Sequence, residues 1–126
     1  MAHAVRDQGA KRIGLVGASL GGSVAVAAAK RTKADAIVDL SGPADFGTLS
    51  ITDNARSITM PALFAYSNTD RSDLDQVRQN LKRMPSKNKI FLSYPRGHGY
   101  ELLQDQNTGE LSPLADRVQR FVANGS

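Results

Sequence analysis

The sequence predicts an α/β protein: a parallel sheet of about four strands with helices on both faces. Three observations predict it. Four short apolar runs, 13–16, 36–40, 62–66 and 90–94, carry no helical period and read as buried strands. Segments with apolar residues at helical spacing follow the first, third and fourth of them. Stretches rich in Gly, Pro, Ser and Asp punctuate the alternation. Strand–helix alternation of this kind calls for parallel pairing with right-handed crossovers. With 126 residues the chain makes one domain, 1–126, around one modest core.

Residues 1–9 show a weak helical pattern (Ala4, Val5, Gln8) ending at Gly9. The first strand is expected over Ile13 to Val16. From Leu20 a helix is expected, with Val24, Ala27 and Ala28 on one stripe and Lys30 and Arg31 at its negative end. Ala36 to Leu40 is the second strand. Ser41-Gly42-Pro43-Ala44-Asp45 then breaks regularity, and 46–58 holds at most a short irregular helix. Ala62 to Tyr66 is the third strand, preceded by Pro61 at an edge position that needs no donor. The polar loop Ser67-Asn68-Thr69-Asp70 leads to a helix over Ser72 to Met84, with Ser72 as N-cap and Pro85 as its stop. Ile90 to Tyr94 is the fourth strand. A last helix starts at Ser112-Pro113, with proline at its first position, and buries Leu114, Val118, Phe121 and Val122.

Composition narrows the function classes. Hydrophobic residues make up 40% of the chain, with no apolar run of membrane-spanning length. The N-terminus has no apolar signal-peptide core. The absence of cysteine removes disulfides, thiolate metal sites and a cysteine nucleophile. These points lead to the expectation of a cytoplasmic protein without metal or cofactor. The net charge is +4, and the basic residues are scattered, with local clusters at Lys30, Arg31, Lys33 and at Arg78, Lys82, Arg83, Lys87, Lys89. Helix-dipole bias accounts for both, and few aromatics interleave, so no nucleic-acid partner is expected.

The chemistry-bearing motif is Gly17-Ala18-Ser19-Leu20-Gly21, a G-x-S-x-G spacing between a strand and a helix. Such a turn holds its middle serine in a strained conformation above the carboxyl end of the sheet. Its flanking glycines are expected where a Cβ would collide. The Leu20 N–H, at the start of the helix, can help to hold an oxyanion. A Walker loop is excluded, since no lysine follows Gly22, and the dinucleotide pattern G-x-G-x-x-G is absent. In open α/β sheets ligands sit beyond the carboxyl ends of the strands. Ser19 follows the first strand there, Asp70 the third and His98 the fourth. A serine hydroxyl needs an imidazole to take its proton, and a carboxylate to orient that imidazole. Asp45, after the second strand, is an alternative to Asp70 as the acid. Asp39 lies inside a strand, Asp73 and Asp75 suit the first turn of a helix, and His3 needs no role.

Gly-Ala-Ser-Leu-Gly-Gly, Leu-Ser-Gly-Pro-Ala-Asp-Phe, Pro-Ala-Leu-Phe-Ala-Tyr-Ser-Asn-Thr-Asp and Gly-His-Gly-Tyr-Glu-Leu-Leu together resemble the second half of an α/β-hydrolase. They are similar to its dienelactone-hydrolase and small-esterase branch. The resemblance implies Ser19 as nucleophile, Asp70 as acid, His98 as base and the Leu20 N–H in the oxyanion hole. Serine where that branch typically has cysteine points to ester chemistry. The family fold has eight strands, and the part absent here includes the loop that normally gives the second oxyanion donor. Losing one donor typically costs about 10²–10³ in rate. The resemblance thus implies a serine hydrolase of small acyl esters, weakened but active. The alternative is an inactive hydrolase-derived fragment serving as a binding or oligomerisation module. The first strand reads as an interior strand left without one neighbour, so a homodimer covering that edge is expected.

Overall fold

The computed structural model describes residues 12–105 and 107–126. The helical pattern expected over 1–9 and His3 lie outside the described residues. The elements are β1 (Gly14–Ala18), α1 (Leu20–Thr32), β2 (Ala36–Leu40), α2 (Ile51–Asn54), β3 (Ala62–Ser67), α3 (Ser72–Asn80), β4 (Lys89–Tyr94) and α4 (Pro113–Asn124). Single 3-10 turns at Gly47–Leu49, Ala55–Ser57, Asn68–Asp70, Leu81–Arg83 and Gly99–Leu103 join them. The sheet order is β1-β2-β3-β4 and every pairing is parallel. All four carboxyl ends therefore open on the same rim.

Alternation along the strands assigns the two faces. Ile37, Phe64 and Tyr66 point toward α1, α2 and α3, where they pack with Val26, Ala29, Ile51, Ile58 and Val77. Ala36, Val38, Leu40, Leu63 and Ala65 point the other way, onto Leu114, Val118 and Phe121 of α4. Each such buried Leu, Val or Phe contributes about 1.5–3 kcal/mol relative to exposure. β2 and β3, covered on both faces, are buried at every position, whereas β1 and β4 are only half-buried edge strands. α4 follows its expected boundaries, with Pro113 in its first turn and Gly125 in the left-handed conformation beyond its last.

Four local expectations are corrected. The face of α1 that packs on the sheet consists of Gly22, Ser23, Ala25, Val26 and Ala29, while Val24 stays 43% exposed and Ala27 and Ala28 half-buried. Small residues allow α1 to lie close on β1 and β2, which turns the larger Val24 outward, toward the free side of β1. Pro61 lies at the amino end of an interior strand. Its carbonyl accepts from the Ile37 N–H at 3.0 Å, and the Ala62 N–H turns instead to Asn88. The α3 N-cap is Arg71, at φ +52°, because the Asn68–Asp70 turn reverses there; Ser72 is already helical. α3 ends at Asn80 and tightens into a 3-10 turn before Pro85, although Met84 still reaches the core.

Candidate active site

Ser19 stands at the β1–α1 junction with φ +56° and ψ −129°, a conformation that costs an L-residue energy and aims its side chain above the sheet rim. Its N–H donates to the Leu40 carbonyl at 2.8 Å, tying the elbow to the end of β2. The crowding that demands glycine is at Gly17 and Gly22. A Cβ on Gly17 would lie 1.9 Å from the Gly21 carbonyl oxygen, and one on Gly22 would lie 1.9 Å from Asp39 Oδ1. Gly21, the last glycine of the motif, has no neighbour among the described residues where a Cβ would go. The expectation that both flanking glycines avoid a collision therefore holds at Gly17 and fails at Gly21. That position faces an open groove between β1 and α1, lined also by Leu15, Val16 and Val24.

His98 Nε2 lies 3.0 Å from Ser19 Oγ, and His98 Nδ1 lies 2.8 Å from Asp70 Oδ1. The histidine loop is shaped by Gly97 at φ +105° and Gly99 at φ +61°, values that favour glycine. It is pinned by the Gly97 carbonyl, which accepts from Ser67 Oγ at 2.5 Å and Thr69 Oγ1 at 3.0 Å. Glu101 Oε1 accepts from the His98 N–H at 3.1 Å. The imidazole is 52% exposed, while the Asp70 side chain is only 3% exposed. A buried carboxylate beneath a solvent-facing ring suits a base that must exchange protons with bulk water. Asp45, the alternative acid, is exposed and accepts from Ser50 Oγ at 3.0 Å, so the structure brings Asp70 to the histidine. Leu20 is the first residue of α1, and its N–H is among those that lack an acceptor within the helix. Asp73 lies in the first turn of α3, as expected, and accepts from the Ala44 N–H at 2.9 Å.

Two features went unread in the sequence. Ser41, immediately after β2, donates from Oγ to Asp70 Oδ2 at 2.8 Å, and the Ser67 N–H donates to the same oxygen at 2.8 Å. The other feature is Asp39, fully buried beneath the elbow. Its Oδ1 accepts from the Gly42 N–H at 2.9 Å, and its Oδ2 lies 2.5 Å from Tyr66 Oη. Tyr66 Oη also lies 2.6 Å from the Gly42 carbonyl oxygen. One phenolic proton serves only one of these two oxygens, so both contacts are hydrogen bonds when Asp39 is itself protonated. Burial pushes the Asp39 carboxyl up to about 7, against the opposing effect of its hydrogen bonds from Tyr66 and Gly42. Burial and the nearby Asp39 likewise raise Tyr66 well above the usual phenol range. The Tyr66 ring is held in place by stacking on Phe91, with centroids 5.7 Å apart. Pattern reading assigns Asp39 to a strand interior, and only its phenol partner 27 residues on shows why a carboxyl is tolerated there.

A hollow of about 330 Å³ lies between the end of β4 and the start of α4, bordered by Tyr94, Arg96, Leu102 and Leu114; Ser19, Asp70 and His98 do not border it. Among the described residues there is no cluster of three or more His, Asp or Glu side chains that could hold a metal ion. No helix there is long and apolar enough to cross a membrane.

Residues 1–118 match the model of the dienelactone hydrolase family. No curated protein sequence matches the chain. Among solved structures, dienelactone hydrolase from Anabaena variabilis superposes with a TM-score of 0.68 at 21% identity, over 89% of this chain and 49% of that one. The esterase domain of a Rhodothermus marinus protein gives 0.60 at 18% identity, over 76% of this chain and 54% of that one. Monoacylglycerol lipase from Paleococcus ferrophilus gives 0.68 at 14% identity, over 98% and 73%. The likeness is one of fold, and the chain spans about half the length of the first two of these structures.

Proposed function

Because the chain belongs to the dienelactone hydrolase family, we propose that it is a serine hydrolase of small acyl esters, working in the cytoplasm through an acyl-enzyme intermediate. The observation that carries this reading is the unbroken chain Ser19 Oγ, His98 Nε2, His98 Nδ1, Asp70 Oδ1, with its links of 3.0 and 2.8 Å. Ser19 Oγ attacks the ester carbonyl carbon while its proton passes to His98 Nε2. Asp70 keeps the ring proton on Nδ1 and offsets the imidazolium charge. The Leu20 N–H donates to the oxyanion. The tetrahedral intermediate collapses with expulsion of the alcohol, which takes the proton from Nε2. Water, deprotonated by His98, then releases the acid and restores Ser19. Residues 41–61, between β2 and β3, are too few for a cap domain, and the exposed His98 ring leaves the site open. Short, soluble acyl groups suit such a site. The reading includes a twofold dimer, supported by the outer edge of β1, which pairs with no strand among the described residues.

Ser19 is then the one hyper-reactive serine of the chain. Intact-mass analysis after fluorophosphonate treatment gives a single adduct, and Ser19→Ala abolishes it. No adduct, or one mapped to Ser23 or Ser41, would sink the assignment.

A further inference from the structure

We infer that Ser41 is a positioning residue for the acid of the proposed triad, acting through Asp70 on the proton affinity and orientation of His98. The inference rests on the hydrolase reading above for its catalytic meaning, but not for its geometry. Ser41 has φ +61°, in the left-handed region where glycine or asparagine is the usual occupant. It is also only 2% exposed. Its backbone gives a reason for the turn but none for a serine. The Ser41 N–H extends the β2–β3 ladder by donating to the Ala65 carbonyl at 2.9 Å, the Gly42 N–H reaches Asp39, and the Pro43 carbonyl accepts from Ser23 Oγ at 2.8 Å. The turn is thus anchored to β3, β2 and α1 without help from the Ser41 side chain.

The hydroxyl does something else. Asp70 Oδ2 receives two donors, Ser41 Oγ–H from the end of β2 and Ser67 N–H from the end of β3, each at 2.8 Å. Oδ1 is left to face His98 Nδ1. Two donors from separate strands fix the plane of the carboxylate, and with it the direction in which Oδ1 points. The Ser41 hydroxyl also draws negative charge toward Oδ2, away from the oxygen that faces the imidazole. The other ionisable groups nearby are Glu101, whose carboxylate accepts from the His98 N–H, Asp39 and Asp73, whose charges act on the same buried region, and Tyr66. None of them donates to Asp70 in place of Ser41.

Removing the hydroxyl has two consequences with different signatures. The carboxylate loses one of its two grips, so the imidazole is less well aligned and Ser19 reacts more slowly, by on the order of tenfold. Charge returns to Oδ1, so the imidazolium is held more tightly and His98 titrates at higher pH. A serine that merely filled space would move neither.

The test compares the wild-type chain, Ser41→Ala and Ser41→Gly, each in a His3→Gln background that leaves His98 as the single imidazole. Glycine suits φ +61°, so Ser41→Gly keeps the experiment available where alanine strains the turn. The His98 titration is followed by NMR, and Ser19 phosphonylation by a fluorophosphonate is timed by intact mass. The expected result is a midpoint moved to higher pH in both variants, with labelling slowed about tenfold in both. An unmoved midpoint in both overturns the inference whatever the labelling rate. A midpoint that moves in the alanine variant and returns in the glycine variant also overturns it, because the backbone and not the hydroxyl would then be the cause. Failure of the wild type to label sinks the hydrolase reading instead, and the NMR titration still decides the role of Ser41.

Discussion

Tyr66 has one phenolic proton and two oxygens within hydrogen-bond distance, and this makes the protonation of Asp39 a stability matter. The carboxyl titrates at about 7 in the fold against an ordinary 3.8. Between those values the native chain binds a proton that the unfolded chain does not, so stability falls as pH rises. The contribution is fully present below about 4 and is lost as pH rises through about 7, at roughly 1.4 kcal/mol for each pH unit of that window. Asp39→Asn mimics the protonated acid, since a carboxamide donates to Tyr66 Oη and accepts from Gly42. Urea unfolding at pH 5 and pH 8 is therefore expected to show wild type losing stability and the variant holding it; parallel losses would contradict the account. At the rim, Asp70→Asn places an amide donor against His98 Nδ1 and forces the wrong tautomer, and under the proposed function it is expected to cost about 10⁴ in turnover of a small acyl ester. Asp45→Asn, on an exposed side chain bonded to Ser50, leaves turnover within about twofold. Equal losses in the two variants would remove Asp70 from its role.

At the scale of the element, the elbow and α1 are held down by contact and not by motif. A Cβ on Gly22 would meet the Asp39 carboxyl and Gly42, whereas a Cβ on Gly21 would meet nothing among the described residues. Gly21→Ala is expected to raise stability by about 0.5–1 kcal/mol, the ordinary gain of alanine over glycine in a helix. Gly22→Ala drives a methyl into a fully buried carboxyl and should cost about 3 kcal/mol or more. Chemical denaturation of the two variants separates the contact reading from the motif reading, which predicts the greater harm at Gly21. The register of β2 against β1 and β3 shows the same dependence. It places Asp39 opposite Gly17 and Phe64, and so brings its carboxyl directly beneath the elbow.

At the scale of the molecule, the asymmetry of the sheet carries the consequence. β4 is a partly covered edge, with Arg78 over Phe91 at 5.3 Å from its centroid. β1 leaves Val16 48% exposed beside Leu20 and Val24 at 41% and 43%. An apolar edge without proline or inward charge is a template for another chain. The proposed dimer covers it, by antiparallel pairing of β1 about a twofold or by packing α1 across it. Sedimentation velocity from low to tens of micromolar should show a monomer–dimer shift, moved toward monomer by Val16→Lys together with Val24→Glu. A monomer throughout, with fast amide exchange along 13–16, would leave the edge without a partner.

The local sequence determined the alternation of strand and helix, because apolar runs and helical stripes report burial residue by residue. It also determined which side chains stand at the ends of the strands, including Ser19, Asp70 and His98. Only the tertiary structure decided which of them meet. The 79 residues from Ser19 to His98 are closed by parallel register and by the pinned Gly97 carbonyl, neither of which has a local signature. The same holds for the face α1 buries, set by how closely Gly22, Ser23 and Ala25 let it approach β2. It holds most clearly for Asp39 and Ser41. A buried carboxyl and a left-handed serine look like costs in a linear reading, and their compensating partners, Tyr66 and Asp70, lie a strand away, where pairing distance and not sequence distance governs the energy.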